Sequence, residues 1–172
     1  MHDPSLIGTD VTEPYALRAA EAARILNSLR RNGVAAIRGF VPPADVAEIA
    51  KAGFAAIINN RPDGEEPGQP AKETVEAEAK KHGLEYRYIP VTTSTITYKD
   101  VAAFNHALLR GAKPVLVHCR SGARSYVLWA LTRVFFDGES PLMLASDAAK
   151  KGYDLRVLPA LVEKLQAEKD KG

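Results

Sequence analysis

Val115-Leu-Val-His-Cys-Arg-Ser-Gly-Ala-Arg-Ser125 decides how the rest of this chain is read. Pro114-Val115-Leu116-Val117 predicts a short buried strand, and Tyr126-Val127-Leu128-Trp129-Ala130-Leu131 the start of a packed helix. The turn between them opens with Cys119, the only cysteine of the chain, and closes with Arg124. A thiol at such a turn meets backbone N–H groups, the positive end of a helix and two guanidinium groups, Arg120 and Arg124. All of these favour its thiolate. Gly122 relieves steric limits in the turn, so the amides from Ser121 to Ser125 can curl into an anion-binding concavity. The arrangement predicts a nucleophile that attacks electrophilic phosphorus or sulfur. A free cysteine is commonly a small buried hydrophobe, and the flanking pattern argues against that reading here.

Outward from this turn, strands and helices alternate. Pro14 followed by 15–31 predicts an amphipathic helix stopped by Asn32-Gly33. Val34–Arg38 predicts a strand, and Pro42-Pro43 opens a helix through Ala44–Ala52 with Gly53 as its stop. Ala55–Asn59 is short and apolar, as in a parallel strand buried on both faces. The Pro- and Gly-filled stretch 60–70 predicts a loop. A helix over Ala71–His82 and a strand over Glu85–Ile89 follow. After the loop 91–97, Thr97 and Asp100 form a capping-box signature for a helix from Tyr98 to Arg110. Beyond the cysteine turn, helices are predicted over Ser125–Phe136, Ser140–Gly152 and Leu155–Lys169.

This alternation argues for an α/β fold with a central, mainly parallel sheet flanked by helices. Ligands of such sheets bind at the carboxyl ends of the strands. The loops 60–70, 91–97 and 118–124 leave such ends and are expected to meet around one pocket. The 172 residues suffice for one full hydrophobic core. A formal net charge of +2, without a dense basic tract, argues against nucleic acid. No window reaches the length of a membrane span. The first ten residues lack a basic n-region and an apolar run, and one cysteine allows no internal disulfide, so a cytoplasmic location is expected. His2, His82 and His106 are scattered without ligand spacing, and neither a metal nor a cofactor is expected.

His-Cys-Arg-Ser-Gly-x-Arg-Ser is similar to the active-site loop of rhodanese-type sulfurtransferases, whose cysteine carries a persulfide. The wider pattern over about residues 34–136 resembles the bacterial beta-lactamase hydrolase-like protein family. It comprises Ala-Ile-Ile-Asn-Asn-Arg-Pro-Asp-Gly-Glu-Glu-Pro-Gly-Gln-Pro, Tyr-Ile-Pro-Val and the cysteine turn. The resemblance implies a fold like that of dual-specificity protein tyrosine phosphatases, with a sheet of four to five strands. The segment 1–33 lies outside the resemblance and reads as an added N-terminal helical extension, beside a phosphatase-like or sulfurtransferase domain over 34–172, a single domain overall. Members are assigned either as sulfur transferases or as phosphatases, and some are fused to a persulfide dioxygenase.

Two features separate these activities. Cysteine phosphatases place five residues between Cys and Arg, whereas four stand here (Arg120, Ser121, Gly122, Ala123), as in rhodanese-like loops. Phosphomonoester cleavage also calls for a general acid, worth about 10²–10⁴ in rate. The loop after Tyr-Ile-Pro-Val offers Thr92, Thr93, Ser94, Thr95 and Thr97, and no carboxylate before Asp100. The expectation is therefore a sulfurtransferase working through a Cys119 persulfide, with a cysteine-dependent phosphatase as the alternative. A non-catalytic persulfide- or anion-binding module is a further option. Arg120 and Arg124 would bind a small anionic sulfur donor. With no second cysteine the acceptor is external: a thiol such as glutathione, cyanide, sulfite or a persulfide-metabolising protein. Ser125 is expected to cap the following helix and to approach the thiolate. His118 is expected to steady the loop. Asp63, Glu65 or Glu66 could substitute as an acid from the other loop, although both glutamates read as solvated turn residues, and Arg61 and Asp63 are candidates either to hold that loop or to face the pocket.

Overall fold

The computed structural model describes residues 34–38, 41–120 and 122–172. The helix predicted over 15–31, the extension 1–33 and Ser121 lie outside the described residues. The strands are β1 (Val34–Arg38), β2 (Ala56–Asn59), β3 (Glu85–Tyr88) and β4 (Val115–Cys119). They pair in the order β1-β4-β2-β3, every neighbour parallel. β4, the last strand in the chain, inserts between β1 and β2, so that His118 pairs with both Ile37 and Asn59. The two inner strands β2 and β4 are buried at every position, the signature of a sheet covered on both faces.

Strand alternation sorts the covering helices. Ala56, Ile58, Val115 and Val117 face one core, shared with α3 (Tyr98–Arg110), α4 (Ala123–Asp137), α5 (Pro141–Lys150) and α6 (Leu158–Lys171). Ile57 and Leu116 face the other, shared with α1 (Val46–Ala52) and α2 (Lys72–Lys81). The helix α4 is the centre of the larger core, since every residue from Ser125 to Arg133 is buried. A helix apolar nearly all round has no solvent face and must lie inside. Its one buried charge, Arg133, pairs with Asp137 and Glu139.

The local signals place the elements well. Gly53 and Gly83 adopt positive φ just past α1 and α2, as helix-stop glycines do. α1 is preceded by a short 3₁₀ turn over Pro43–Asp45. At α3, Thr97 Oγ1 accepts the Asp100 N–H at 3.2 Å, and Asp100 Oδ2 accepts the Thr97 N–H at 2.9 Å, a complete capping box. The sequence reading errs at two helix starts. α4 begins at Ala123, with Gly122 as its cap. α6 begins at Leu158, where Pro159 suits the first turn, whose N–H groups have no partner within the helix. Among the described residues no helix is long and apolar enough to cross a membrane.

Replacing the α3 cap is expected to lower stability by about 1 kcal/mol. Urea unfolding of Thr97→Ala measures it; an unchanged midpoint would mean that tertiary packing alone defines the start of α3.

Candidate active site

β4 ends in the middle of the sheet's carboxyl edge, and its last residue is Cys119. The side chain is fully buried. Gly122, at φ 88°, reverses the chain immediately after it. That conformation turns the Gly122 N–H onto the Cys119 sulfur, with N···S at 3.0 Å. It also lets the Gly122 carbonyl accept the Tyr126 N–H at 3.0 Å, the first hydrogen bond of α4. A side chain is strained at this φ, which explains why glycine stands there. Sulfur therefore sits at the positive end of a fifteen-residue helix whose first turn contains no acid.

Asn60 ties the neighbouring strand ends to this turn. Its N–H donates to His118 O at 2.8 Å, and its carbonyl accepts from Val91 N at 3.1 Å. Its side-chain amide donates to Ile89 O at 2.9 Å, which leaves Oδ1 to accept the Ser125 hydroxyl at 2.8 Å. Ser125 thus lies inside the first turn of α4 and gives its hydroxyl proton to Asn60, and the expectation that it caps the helix is corrected. The cap falls to Gly122 because the turn curls tightly enough to start the helix at Ala123.

Arg124 joins all three loops. Its Nη1 donates to Val91 O at 2.8 Å and its Nη2 to Glu65 Oε1 at 2.7 Å. Arg61 is buried and shares Glu65 with it, with Nε 3.1 Å from Glu65 Oε1 and Nη2 3.1 Å from Glu66 Oε1. Both glutamates are therefore partners of site arginines, and reading them as solvated is wrong. Composition made that error natural: an acidic Pro/Gly loop is usually hydrated, and only folding brings Arg124 to it. Burial on its own would raise the Glu65 carboxyl. The Arg124 hydrogen bond and the charges of Arg124, Arg61 and Arg120 outweigh it and hold Glu65 below its ordinary 4.5.

The remaining predicted residues divide. Arg120 is exposed at the mouth of the turn. His118 is buried and, by strand alternation, lies on the Leu116 face, opposite to Cys119. Of the two roles open to Asp63, holding the loop is the one seen: the residue is exposed and ties its loop to the start of α2. Its Oδ1 accepts the Lys72 N–H at 3.0 Å, and its own N–H donates to Tyr88 Oη at 2.8 Å. In the Thr-rich loop, Thr92 Oγ1 lies 2.9 Å from Thr95 Oγ1 and 3.2 Å from Ser94 Oγ, so these hydroxyls bond one another. Asp100 is held in the α3 cap. No cluster of three potential metal-ligating side chains occurs among the described residues. Asn60 and Tyr153 were missed by the sequence reading. Two asparagines directly after a buried apolar strand were a usable signal for Asn60; Tyr153, far downstream, gave none.

An α/β domain with a cysteine at the carboxyl edge of its central strand, a glycine turn and a buried helix behind it has the layout of a protein tyrosine phosphatase-like fold. The chain belongs to the family described as beta-lactamase hydrolase-like protein, phosphatase-like domain, whose profile matches residues 31–135. A curated relative, the beta-lactamase hydrolase-like protein of Xylella fastidiosa (strain Temecula1), is 42% identical over 99 residues. That match covers 58% of this chain and 23% of the relative, so the chain spans about a quarter of that relative's length. A provisionally assigned phosphatase from Neisseria meningitidis is 28% identical, covering 77% of this chain and 92% of its own, with a TM-score of 0.63. A kinase associated phosphatase whose catalytic-site cysteine is replaced by serine shares the fold: 18% identity, 78% of this chain, 87% of its own, TM-score 0.59.

Because folding favours the ionised Glu65, its ties contribute stability that is full above pH 4.5 and lost as pH falls through the lowered value. Urea unfolding of the wild type and Glu65→Gln across pH is expected to show a stability gap that closes below pH 4.5. A gap independent of pH would show that the Glu65 charge contributes nothing.

Proposed function

We propose that this chain is a cysteine-dependent phosphatase-type enzyme acting on phosphomonoesters. The observation that carries the reading is the Cys119 sulfur under the Gly122 N–H, at the acid-free start of α4, on a phosphatase fold. Sγ attacks phosphorus, the S–P bond forms, and the ester P–O bond breaks with its electron pair leaving on the ester oxygen. Water then attacks phosphorus, the S–P bond breaks, and inorganic phosphate departs with the thiolate restored. Amide N–H groups and the helix end stabilise the charge that develops. Arg124 holds the loops around the reacting centre, and Arg120 supplies charge at the mouth.

The leaving oxygen limits the substrate. Asp63, Glu65, Glu66 and Asp100, the carboxylates nearest in sequence to the site loops, are held by α2, by Arg61 and Arg124, and by the α3 cap. An aryl ester, whose phenol titrates at about 10, can leave as phenolate without a strong acid. A serine-type alkyl ester cannot, so aryl phosphates are the favoured class.

The sulfurtransferase expected from the sequence becomes the second reading, since the comparisons favour phosphatases. One observation supports it: a turn with four residues between Cys119 and Arg124, set among committed carboxylates. In that reaction Cys119 attacks the outer sulfur of thiosulfate. The new S–S bond forms as the donor's breaks, sulfite leaves with the electron pair, and an external thiol collects the sulfur from the persulfide.

Two measurements decide. Hydrolysis of 4-nitrophenyl phosphate is expected, and Cys119→Ser is expected to reduce it to the uncatalysed rate, while intact mass after thiosulfate stays unchanged. A one-sulfur gain at Cys119 without phosphate release overturns the phosphatase reading in favour of the second.

A further inference from the structure

A surface cavity of about 340 Å³, broadly open to solvent, lies between the end of α5 and the start of α6, remote in sequence from the cysteine turn. Ala145, Ala149, Gly152 and Leu155 line it, Tyr153 contributes a ring, and Asp154 and Arg156 complete it. The reaction described above uses none of them. Tyr153 nevertheless touches the reactive turn. A Cβ built on Gly122 would lie 3.3 Å from Tyr153 Oη and 3.6 Å from its Cε1. Tyr126, one helical turn past Gly122, supports the same ring, with centroids 5.0 Å apart. One aromatic side chain is therefore shared by the cavity and the cysteine turn.

The two regions differ in chemistry. Apart from one ion pair, the cavity is lined by methyl groups, a leucine and an aromatic ring. The pair is internally satisfied: Arg156 Nε and Nη2 both donate to Asp154, at 3.0 and 2.8 Å. An anion gains nothing by entering, whereas an uncharged flat group gains apolar burial and a ring to pack against. Across Tyr153 the balance reverses, with sulfur, amide N–H, helix end and the exposed Arg120 all suited to an anion.

We propose that this cavity is the second half of the substrate site. It takes the uncharged aromatic group of a ligand whose tetrahedral anionic head lies over the Cys119 turn. This rests on the reading that Cys119 receives such a head, and adds the place where the attached aromatic group is held and the side chain that selects it. Tyr153 is then the specificity-determining side chain between head and ring.

Benzenesulfonate and methanesulfonate carry the same unreactive head and differ in the ring. Calorimetric titration of the 172-residue chain is expected to show benzenesulfonate bound about tenfold more tightly, the size of effect that one apolar contact supplies. Ala149 is exposed near the end of α5, so Ala149→Leu fills the cavity without entering the core, and is expected to remove most of that preference. Equal affinity of the wild type for both sulfonates overturns the proposal. So does a preference that survives both Ala149→Leu and Ala145→Leu. Neither sulfonate is turned over. A protein inactive towards 4-nitrophenyl phosphate and thiosulfate, yet with the ring preference intact, would refute the catalytic reading and leave the cavity standing.

Discussion

Everything at the carboxyl edge of this sheet depends on Asn60. A parallel sheet ends in unpaired backbone groups, and a buried polar group without a partner costs about 1–3 kcal/mol. Asn60 answers that cost at the end of β4, at Ile89 and Val91, and at Ser125 in α4. Its amide cannot rotate without breaking two bonds at once. The loops after β2 and β3 are thereby held at fixed positions beside the cysteine turn. Only in that arrangement can one guanidinium, that of Arg124, reach both Val91 O and Glu65.

The second organising element is charge. An arginine in the first turn of a helix opposes the helix dipole, by about 0.3–1 kcal/mol when exposed. α4 places Arg124 there, follows Arg120 in the turn, and supplies no acid of its own. Countercharge comes instead from the 60–70 loop, through Glu65, while Glu66 balances Arg61. Among the described residues, those carboxylates are held by arginines in shaping the site and are not left free beside the sulfur. That one fact shapes both chemical readings, since each must dispense with a strong general acid.

Local rules carried far along this chain. The alternation of elements, the glycine stops after α1 and α2, the capping box at Thr97 and the cysteine turn all follow from short-range physics. Each is a preference of a few consecutive residues, and each appears where the sequence places it. The misreadings share a different cause. Ser125 looks like a cap in isolation, but its hydroxyl is claimed by Asn60, far upstream in the chain. Glu65 looks solvated in its Pro/Gly loop, yet folding brings Arg124 onto its carboxylate.

The sequence by itself determined the layered α/β architecture and put the chain's one cysteine at a helix start, because periodicity, turn chemistry and capping act over neighbouring residues. The tertiary structure alone decided which charges meet that cysteine turn, that Glu65 restrains Arg124, and that Tyr153 lies against Gly122. Those contacts join residues tens of positions apart. Their energies exist only after the sheet has brought the strand ends together, so no local pattern could record them.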